Sequence, residues 1–418
     1  MIGRLLALAW RNLWYNSRRT LIAMTAIGVG YAMLLFVACL MGGLRQQMIE
    51  SGTGLILSDI EVHAPDYYPD RPIQLTLGGR KGTEVGALLA ATAADPRVQA
   101  VSPRAYAYGL VSGTHQSAGV QLFGVVPDLE QKVTMLQTRM VKGAYLNDGA
   151  PKGVVMGDKL AATIGVDVGS EVVLLTPAAD GSTGNDLYKV SGMFHTGLEA
   201  MDQGLVVMPL PALQDLLRLP PGRIHEVGIK LHDIATATAV AAALEAQLGK
   251  AFPVRVMPWQ ELAPELADYV QFNRRVTFIL FFIFFLSAAM GIVNTMLMAI
   301  IERTRELGML MAVGMRPVQV VGLIVAEAGS LAAASLILGA TLGIPLLWYL
   351  QVHGLNLGGN RGAVSLAGIV VGPLWHGKQD FTAYSEAALG LAITALAAAL
   401  YPAMRAARFR PAEALRKV

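Results

Sequence analysis

The 418-residue chain is 54% hydrophobic and only 15% charged, against about 25% charge in an ordinary soluble protein, so a membrane protein is the first expectation. Its formal net charge of +3 is too small to point to a nucleic-acid partner, and the placement of Lys and Arg matters more than their sum. The single cysteine, Cys39, excludes an internal disulfide and reads as a small buried hydrophobe.

Residues 1–20 read "MIGRLLALAWRNLWYNSRRT". Arginines spread through the apolar part, with no small-residue cleavage site after the next run, exclude a signal peptide. Arg4, Arg11 and Arg18 recur every seven residues as one basic stripe, which predicts an interfacial helix lying against membrane lipid on the cytoplasmic leaflet. Four windows then have the length and apolarity of a span. Leu21 to Leu44 is uncharged; Val276 to Ile301 is uncharged and rich in Phe; Pro317 to Leu350 carries only Glu327; Ala387 to Ala403 is rich in Ala and Leu and slightly short. The predicted spans are 21–44, 276–301, 317–350 and 385–403. Arg11, Arg18 and Arg19 precede the first, Arg303, Arg305 and Arg316 separate the second from the third, and Arg405, Arg408, Arg410, Arg416 and Lys417 follow the fourth. Four spans put all three groups on one side, which the positive-inside rule makes cytoplasmic, with both termini inside and a tail over 404–418.

Residues 45–275 then lie outside and have a soluble grammar. "DIEVHA", "VQLFGV", "GVVMGD", "EVVLLTP", "LYKVSGMF" and "EVGIKLHD" predict short strands; "TEVGALLAATAADP", "DKLAATIG", "LPALQDLLRL" and "TATAVAAALEAQL" predict amphipathic helices. The expected fold is an α+β domain in two lobes, the strand-rich part around residues 110–200 interrupting a flanking α+β part. A second outside stretch, 351–384, is Gly-rich and too apolar for a free linker, and is expected to pack on the outer end of the bundle.

Chemistry-bearing motifs are missing. "GGRKGTEV" and "LGKAF" lack the spacing of a phosphate-binding loop, and no HExxH, CxxC or GxSxG occurs. The seven histidines, all in the outside stretches, are scattered with none paired at i, i+4, so no metal site or enzyme active site is expected.

The second predicted span runs straight into "ERTRELGMLMAVGMRP". On a continuous helix Glu302 and Glu306 share one face, flanked by Arg303 and Arg305, and form a polar knob beyond the headgroups. Gly308 and Gly314 permit a bend, "MLMAV" offers a short apolar face containing Met311, and Pro317 opens the next helix. A short helix over 302–316, apolar on one side and charged at its ends, is suited to a groove in another protein.

These residues resemble the ABC-transporter permeases of the MacB, LolC–LolE and FtsX superfamily. The shared pattern reads here through Asn294, Glu302, Arg303, Arg305, Glu306, Leu307, Gly308, Ala312 and Gly314, and the closing one through Pro402, Arg405, Ala406, Ala407, Pro411, Glu413, Ala414, Leu415 and Arg416. "DPRVQAVSPR", "VQLFGVVPD", "MGDKLAATIGVDVGSEVVLL" and "YKVSGMFHTG" are similar to that family's periplasmic core domain. The resemblance implies a bacterial inner-membrane complex of two permease copies, identical or different, on a dimer of separate ATPase subunits that bind the ATP and magnesium. The segment after Glu302 would be the coupling helix that docks on the ATPase. No cofactor is implied in this chain itself.

"FHTGLEAMDQGLVVMPLPALQDLLRLPPGRIHEVGIKLHD" and "VMPWQELAPELADYVQFNRR" are most like the lipoprotein-releasing branch, which implies a lipoprotein or other lipidated cargo. At about 0.8 kcal/mol per buried methylene, acyl chains leave a bilayer only for another apolar surface. Met33, Phe36, Met41, Phe278, Phe281, Phe282 and Phe285, near the outer halves of the first two spans, are the candidates to line it. The family's chaperone-recruiting subunit carries a long proline-containing hook where this chain has the short "TPAADGSTGND", Thr176 to Asp186, which argues against direct chaperone capture. The alternatives are export of peptides, macrolides or siderophores with an adaptor and outer-membrane duct, and a scaffold that activates a cell-wall hydrolase. Glu327 is costly against lipid and is expected to face the bundle or the inner interface, partnered by a serine or backbone groups.

Overall fold

A computed structural model describes residues 2–78, 85–147, 149–220, 222–356, 364–366, 369–371 and 374–408. The chain divides into two compact units, Met1–Gln46 with Gln271–Gly359 and Pro373–Val418, and Gln47–Val270 with Asn360–Gly372. Among the described residues four helices are long and apolar enough to cross a membrane, and the fold is that of a membrane protein with an inserted α+β domain.

The N-terminal helix α1 (Ile2–Leu13) ends in a 3-10 turn, Trp14–Asn16, before the long α2 (Ser17–Thr53). Thr20 Oγ1 donates to the Leu13 carbonyl at 2.5 Å across that turn. Arg11 therefore belongs to α1 and Arg18 to α2, and since Leu13 and Ser17 on either side of the turn both have helical backbone, the turn does not end the line on which the basic stripe is expected. Nor is α1 held by lipid alone: Ala9 is buried, Leu13 packs on the helical core, and Asn12 reaches Glu327.

The α+β unit is built on one ten-stranded sheet. In chain order it comprises β1 (Ile60–His63), α3 (Val85–Ala93), β2 (Val98–Ser112), β3 (Ser117–Val125), α4 (Pro127–Val133), β4 (Met140–Gly143), β5 (Gly153–Gly157), α5 (Asp158–Ile164), β6 (Glu171–Pro177), β7 (Thr183–Phe194), α6 (Glu199–Gly204), β8 (Leu205–Pro209), α7 (Leu210–Leu216), β9 (Glu226–Leu231), α8 (Ala237–Leu248), β10 (Arg255–Pro258) and α9 (Trp259–Leu262). The order is β10-β1-β9-β2-β3-β8-β5-β7-β4, with β6 pairing both β2 and β7. The two lobes are thus two ends of one hydrogen-bonded sheet, joined through the long β2: its first half pairs with β9, its second half with β3 and β6. Strands β1, β5 and β8 are buried along their whole length, as strands covered on both faces must be. At the place of the hook, β6 and β7 close a short hairpin with Pro177 opposite Thr183 and Gly181 at φ +83°.

The remaining helices are α10 (Pro264–Glu302), α11 (Thr304–Ala312), α12 (Pro317–His353) and α13 (Phe381–Ala407). All four long helices outrun the apolar windows, α12 by three residues and the other three by a turn or more. Small residues set the packing of α2 on α12: a Cβ on Gly339 would lie 2.5 Å from the Gly28 carbonyl, and one on Gly343 would meet Leu35 and Ala32. This is the small-xxx-small spacing that lets membrane helices approach closely. Where α13 meets α10, a Cβ on Gly390 would lie 2.6 Å from the Phe285 ring. Cys39 is fully buried in this bundle. Of the loop at 351–384, β11 (Leu355–Asn356) pairs with β14 (Leu374–Trp375) and β12 (Val364–Leu366) with β13 (Ile369–Val371). Its remaining residues at 357–363, 367, 368, 372 and 373 lie outside the described residues, as does the closing motif beyond Arg408.

Candidate coupling junction and helix-bundle cavity

The helix that enters the polar stretch stops at Glu302. Arg303 has φ −108° and ψ 21°, off the helical line, and α11 starts afresh at Thr304. Glu302 and Glu306 therefore do not share an i, i+4 face, which corrects the continuous helix expected there. The break needs no turn residue because the Arg303 side chain compensates it. Its Nε donates to Glu306 Oε2 at 2.9 Å and its Nη1 to Glu327 Oε1 at 3.1 Å. Glu327 Oε1 also accepts from Asn12 Nδ2 at 2.7 Å, and Glu302 Oε2 from Arg19 Nη1 at 2.6 Å.

Glu327 is thus buried against a guanidinium and an amide, where a serine or backbone partner was expected. The Arg303–Glu327 pair, with Asn12 on the same carboxylate oxygen, pins the α10–α11 junction to α12 and α1. The charges at 302, 303 and 306 join elements of this chain together, and Glu302 and Arg305 are the exposed residues of the stretch 302–306.

On α11 the two faces separate cleanly. Leu307 and Gly308 are buried, and Leu307 packs with Ile300, Val320 and Ile324 while Met311 lies against the same cluster. The other face carries Met309, Leu310 and Val313, the last 85% exposed. Gly308 sits inside the helix and makes no bend. The turn falls at Gly314, whose φ of +106° disfavours any residue with a Cβ. Gln319 Oε1 then accepts the Arg316 amide at 2.8 Å and Pro317 opens α12.

The seven residues proposed to line a cavity do not act together. A cavity of about 380 Å³ does lie between α2 and α10, and Met33 and Phe285 line it with Gly30, Phe284, Ser287 and Gly291. Phe36 and Phe281 instead pack on the bundle core. Phe278 and Phe282 are exposed, and Met41 lies next to Asn273. Sequence reasoning missed Gly30 and Gly291 because it sought bulky apolar walls, whereas the space exists where side chains are lacking.

The scattered histidines include one that meets carboxylates. His195 Nδ1 is 3.0 Å from Asp158 and 3.3 Å from Asp202, and the three could hold a metal ion. The buried Asp202 already accepts from the Thr196 amide and hydroxyl and from the Gly197 amide, so it closes the loop between β7 and α6.

Comparison with known proteins fits this architecture. A MacB-like periplasmic core domain matches residues 20–247 and an FtsX-like permease C-terminal region residues 278–411. The chain is 28% identical over 333 residues to the lipoprotein-releasing system transmembrane protein LolC of Xylella fastidiosa (strain Temecula1), covering 77% of this chain and 78% of that one. It is 24% identical over 416 residues to LolC of Neisseria meningitidis serogroup B, covering 95% and 94%. It is 23% identical over 332 residues to LolE of Haemophilus influenzae, covering 77% and 78%. With the core-domain match spanning more than half of its residues and the permease match following it in sequence, the chain belongs to the MacB, LolC and FtsX superfamily of ABC-transporter permeases.

Proposed function

We propose that this chain is the inner-membrane permease subunit of a transporter that draws lipid-anchored proteins out of the bilayer, driven by a separate ATPase. The observation that carries this reading is the apolar cavity between α2 and α10, in a chain aligned along most of its length with proteins of the lipoprotein-releasing system. Its lining is mostly apolar, with Ser287 and Tyr31 as the hydroxyl-bearing exceptions, which suits an acyl chain and not a polar solute.

In this reading α11 is the coupling helix, cytoplasmic with both termini, and the α+β domain is periplasmic. ATP and magnesium belong to the ATPase, and a second permease copy completes the complex. The contact with the ATPase is made by the exposed apolar face at Met309, Leu310 and Val313 and by Arg305. The Arg303 network holds that face in place. A photocrosslinker at Met33 or Phe285 in living cells traps an acylated protein if the reading is right. Labelling confined to phospholipid across a scan of the whole cavity wall would count against it.

A further inference from the structure

Beneath β1, β9 and β2 lies a group of charges that a small α+β domain has no need of for packing. Arg104 is fully buried, and so are Glu61, Glu130 and Glu226 around it. The Arg104 guanidinium holds Glu130 with two hydrogen bonds, at 2.7 and 3.1 Å, and reaches Glu226 at 3.5 Å and Glu61 at only 3.9 Å. Arg71 approaches Glu61 at 3.8 Å from the loop after β1 and lies 4.5 Å over the Tyr106 ring. A Cβ on Gly228 of β9 would lie 2.5 Å from Arg104 Cζ, so the backbone itself is shaped to admit this guanidinium.

The nearby histidines add no charge. His225 Nδ1 accepts the Tyr106 amide at 2.9 Å, so the ring donates from Nε2 to the Ile73 carbonyl at 3.0 Å. His63 directs Nδ1 at the Ala64 carbonyl at 2.8 Å, and burial lowers the pKa of both rings. Tyr67 and Tyr106 are buried phenols held above their ordinary value by burial. Arg255 of β10, which faces the neighbourhood of His63, is taken up by Glu245 and Glu261, both at 3.1 Å. Three carboxyls therefore stand against two guanidiniums, and the group is one proton short of neutrality.

The geometry says where that proton goes. Glu130 is satisfied by Arg104 and Thr134, whereas among the described residues neither oxygen of Glu61 nor Oε2 of Glu226 accepts a hydrogen bond. Glu61 Oε1 and Glu226 Oε1 lie 3.9 and 3.5 Å from the same Arg104 Nη1 on neighbouring strands, and a hydrogen bond between these carboxyls forms only if one of them is protonated.

We propose that Glu61 and Glu226 share a single buried proton that latches β1 into the sheet, so that the strand following α2 is held more loosely as the pH rises. Strand β1 begins shortly after α2 and is hydrogen-bonded on its other edge to β10, which precedes α10. The latch therefore sits on the strand pair through which the chain enters and leaves the domain. Desolvation by burial, then the neighbouring Glu226, push the Glu61 carboxyl up to about 8, with Arg71 and Arg104 pulling the other way. An opened strand releases this proton at the ordinary carboxyl value and the closed one only near 8, so stability is lost as pH rises through that interval and levels off above it.

Hydrogen exchange on the full chain in nanodiscs, corrected for the intrinsic pH dependence, reads the effect directly. Protection of the Ile60–His63 amides should fall by up to about tenfold per pH unit between about pH 5 and 8 and then flatten, while Glu61→Gln shows no such slope. The infrared band of a protonated carboxyl should be present in the wild type at about pH 6, fade above about pH 8 and be missing from Glu61→Gln. A wild-type profile without slope, or a slope retained in Glu61→Gln, overturns the proposal. Should that variant not fold, the wild-type band and slope still decide it, and absence of the band at about pH 6 is equally fatal.

Discussion

Arg303 and Glu327 meet at 3.1 Å across the point where α10 ends and α12 passes. Both are largely buried, at 14% and 9% side-chain exposure, so removing one leaves the other desolvated and unmatched. Glu327→Leu should lower stability by on the order of 3 kcal/mol, and Arg303→Met with Glu327→Leu should recover much of that loss. A double-mutant cycle from thermal unfolding in detergent measures the coupling. Additive losses would mean that the pair is not a unit.

The α2–α12 contact makes an equally sharp demand. Leucine at 339 must displace the Gly28 carbonyl and Tyr31, and Gly339→Leu should separate the helices and cost about 1–3 kcal/mol or more. Gly322→Ala, on the same helix with open space around the Cβ, is the control and should be neutral or slightly stabilising. Thermal shift and yield after purification compare the two.

Gly228→Ala brings a methyl group against the buried Arg104 guanidinium. Overpacking there should cost about 1–3 kcal/mol. Gly119→Ala on β3 meets nothing within 4 Å and should change stability by less than about 0.5 kcal/mol. Limited proteolysis of the α+β domain distinguishes them.

Filling the cavity tests the transport reading without unfolding the bundle. Cβ atoms at Gly30 and Gly291 meet nothing within 4 Å, and both residues line the space. Gly291→Phe should insert and unfold like the wild type yet lose crosslinking of acylated cargo. Val313→Asp, at the 85% exposed position of α11, should leave the fold intact and abolish stimulation of the ATPase in the assembled complex.

Elements written in apolar periodicity were legible in the sequence: the four long helices, the six strands and the four amphipathic helices of the domain all appear. What escaped was pairing over distance. β2 was not read as one strand because Pro103 and a register shift near its start break the alternation, and it is this strand that unites the lobes. The break at Arg303 was invisible because it depends on Glu327, distant in sequence. Glu61 and Glu226 stood in plain view inside strand-like runs, and Arg104 in the unread β2. Their inward direction follows only from the β1–β9–β2 register, which sets Glu226 beside both His63 and Arg104. For the junction, the sequence pattern marked Glu302, Arg303 and Glu327 but not their partners, which for Glu302 is Arg19 and for Glu327 are Arg303 and Asn12.

The pairing of β1 with β10, Ile60 opposite Pro258, means that the two ends of the inserted domain emerge side by side. An insertion hung from neighbouring strands can be excised or exchanged as a cassette, since a short linker would close the gap it leaves. Such a graft point lets one helical bundle acquire different heads, and a chimera joined just outside β1 and β10 should fold with a head from any of the three relatives named above.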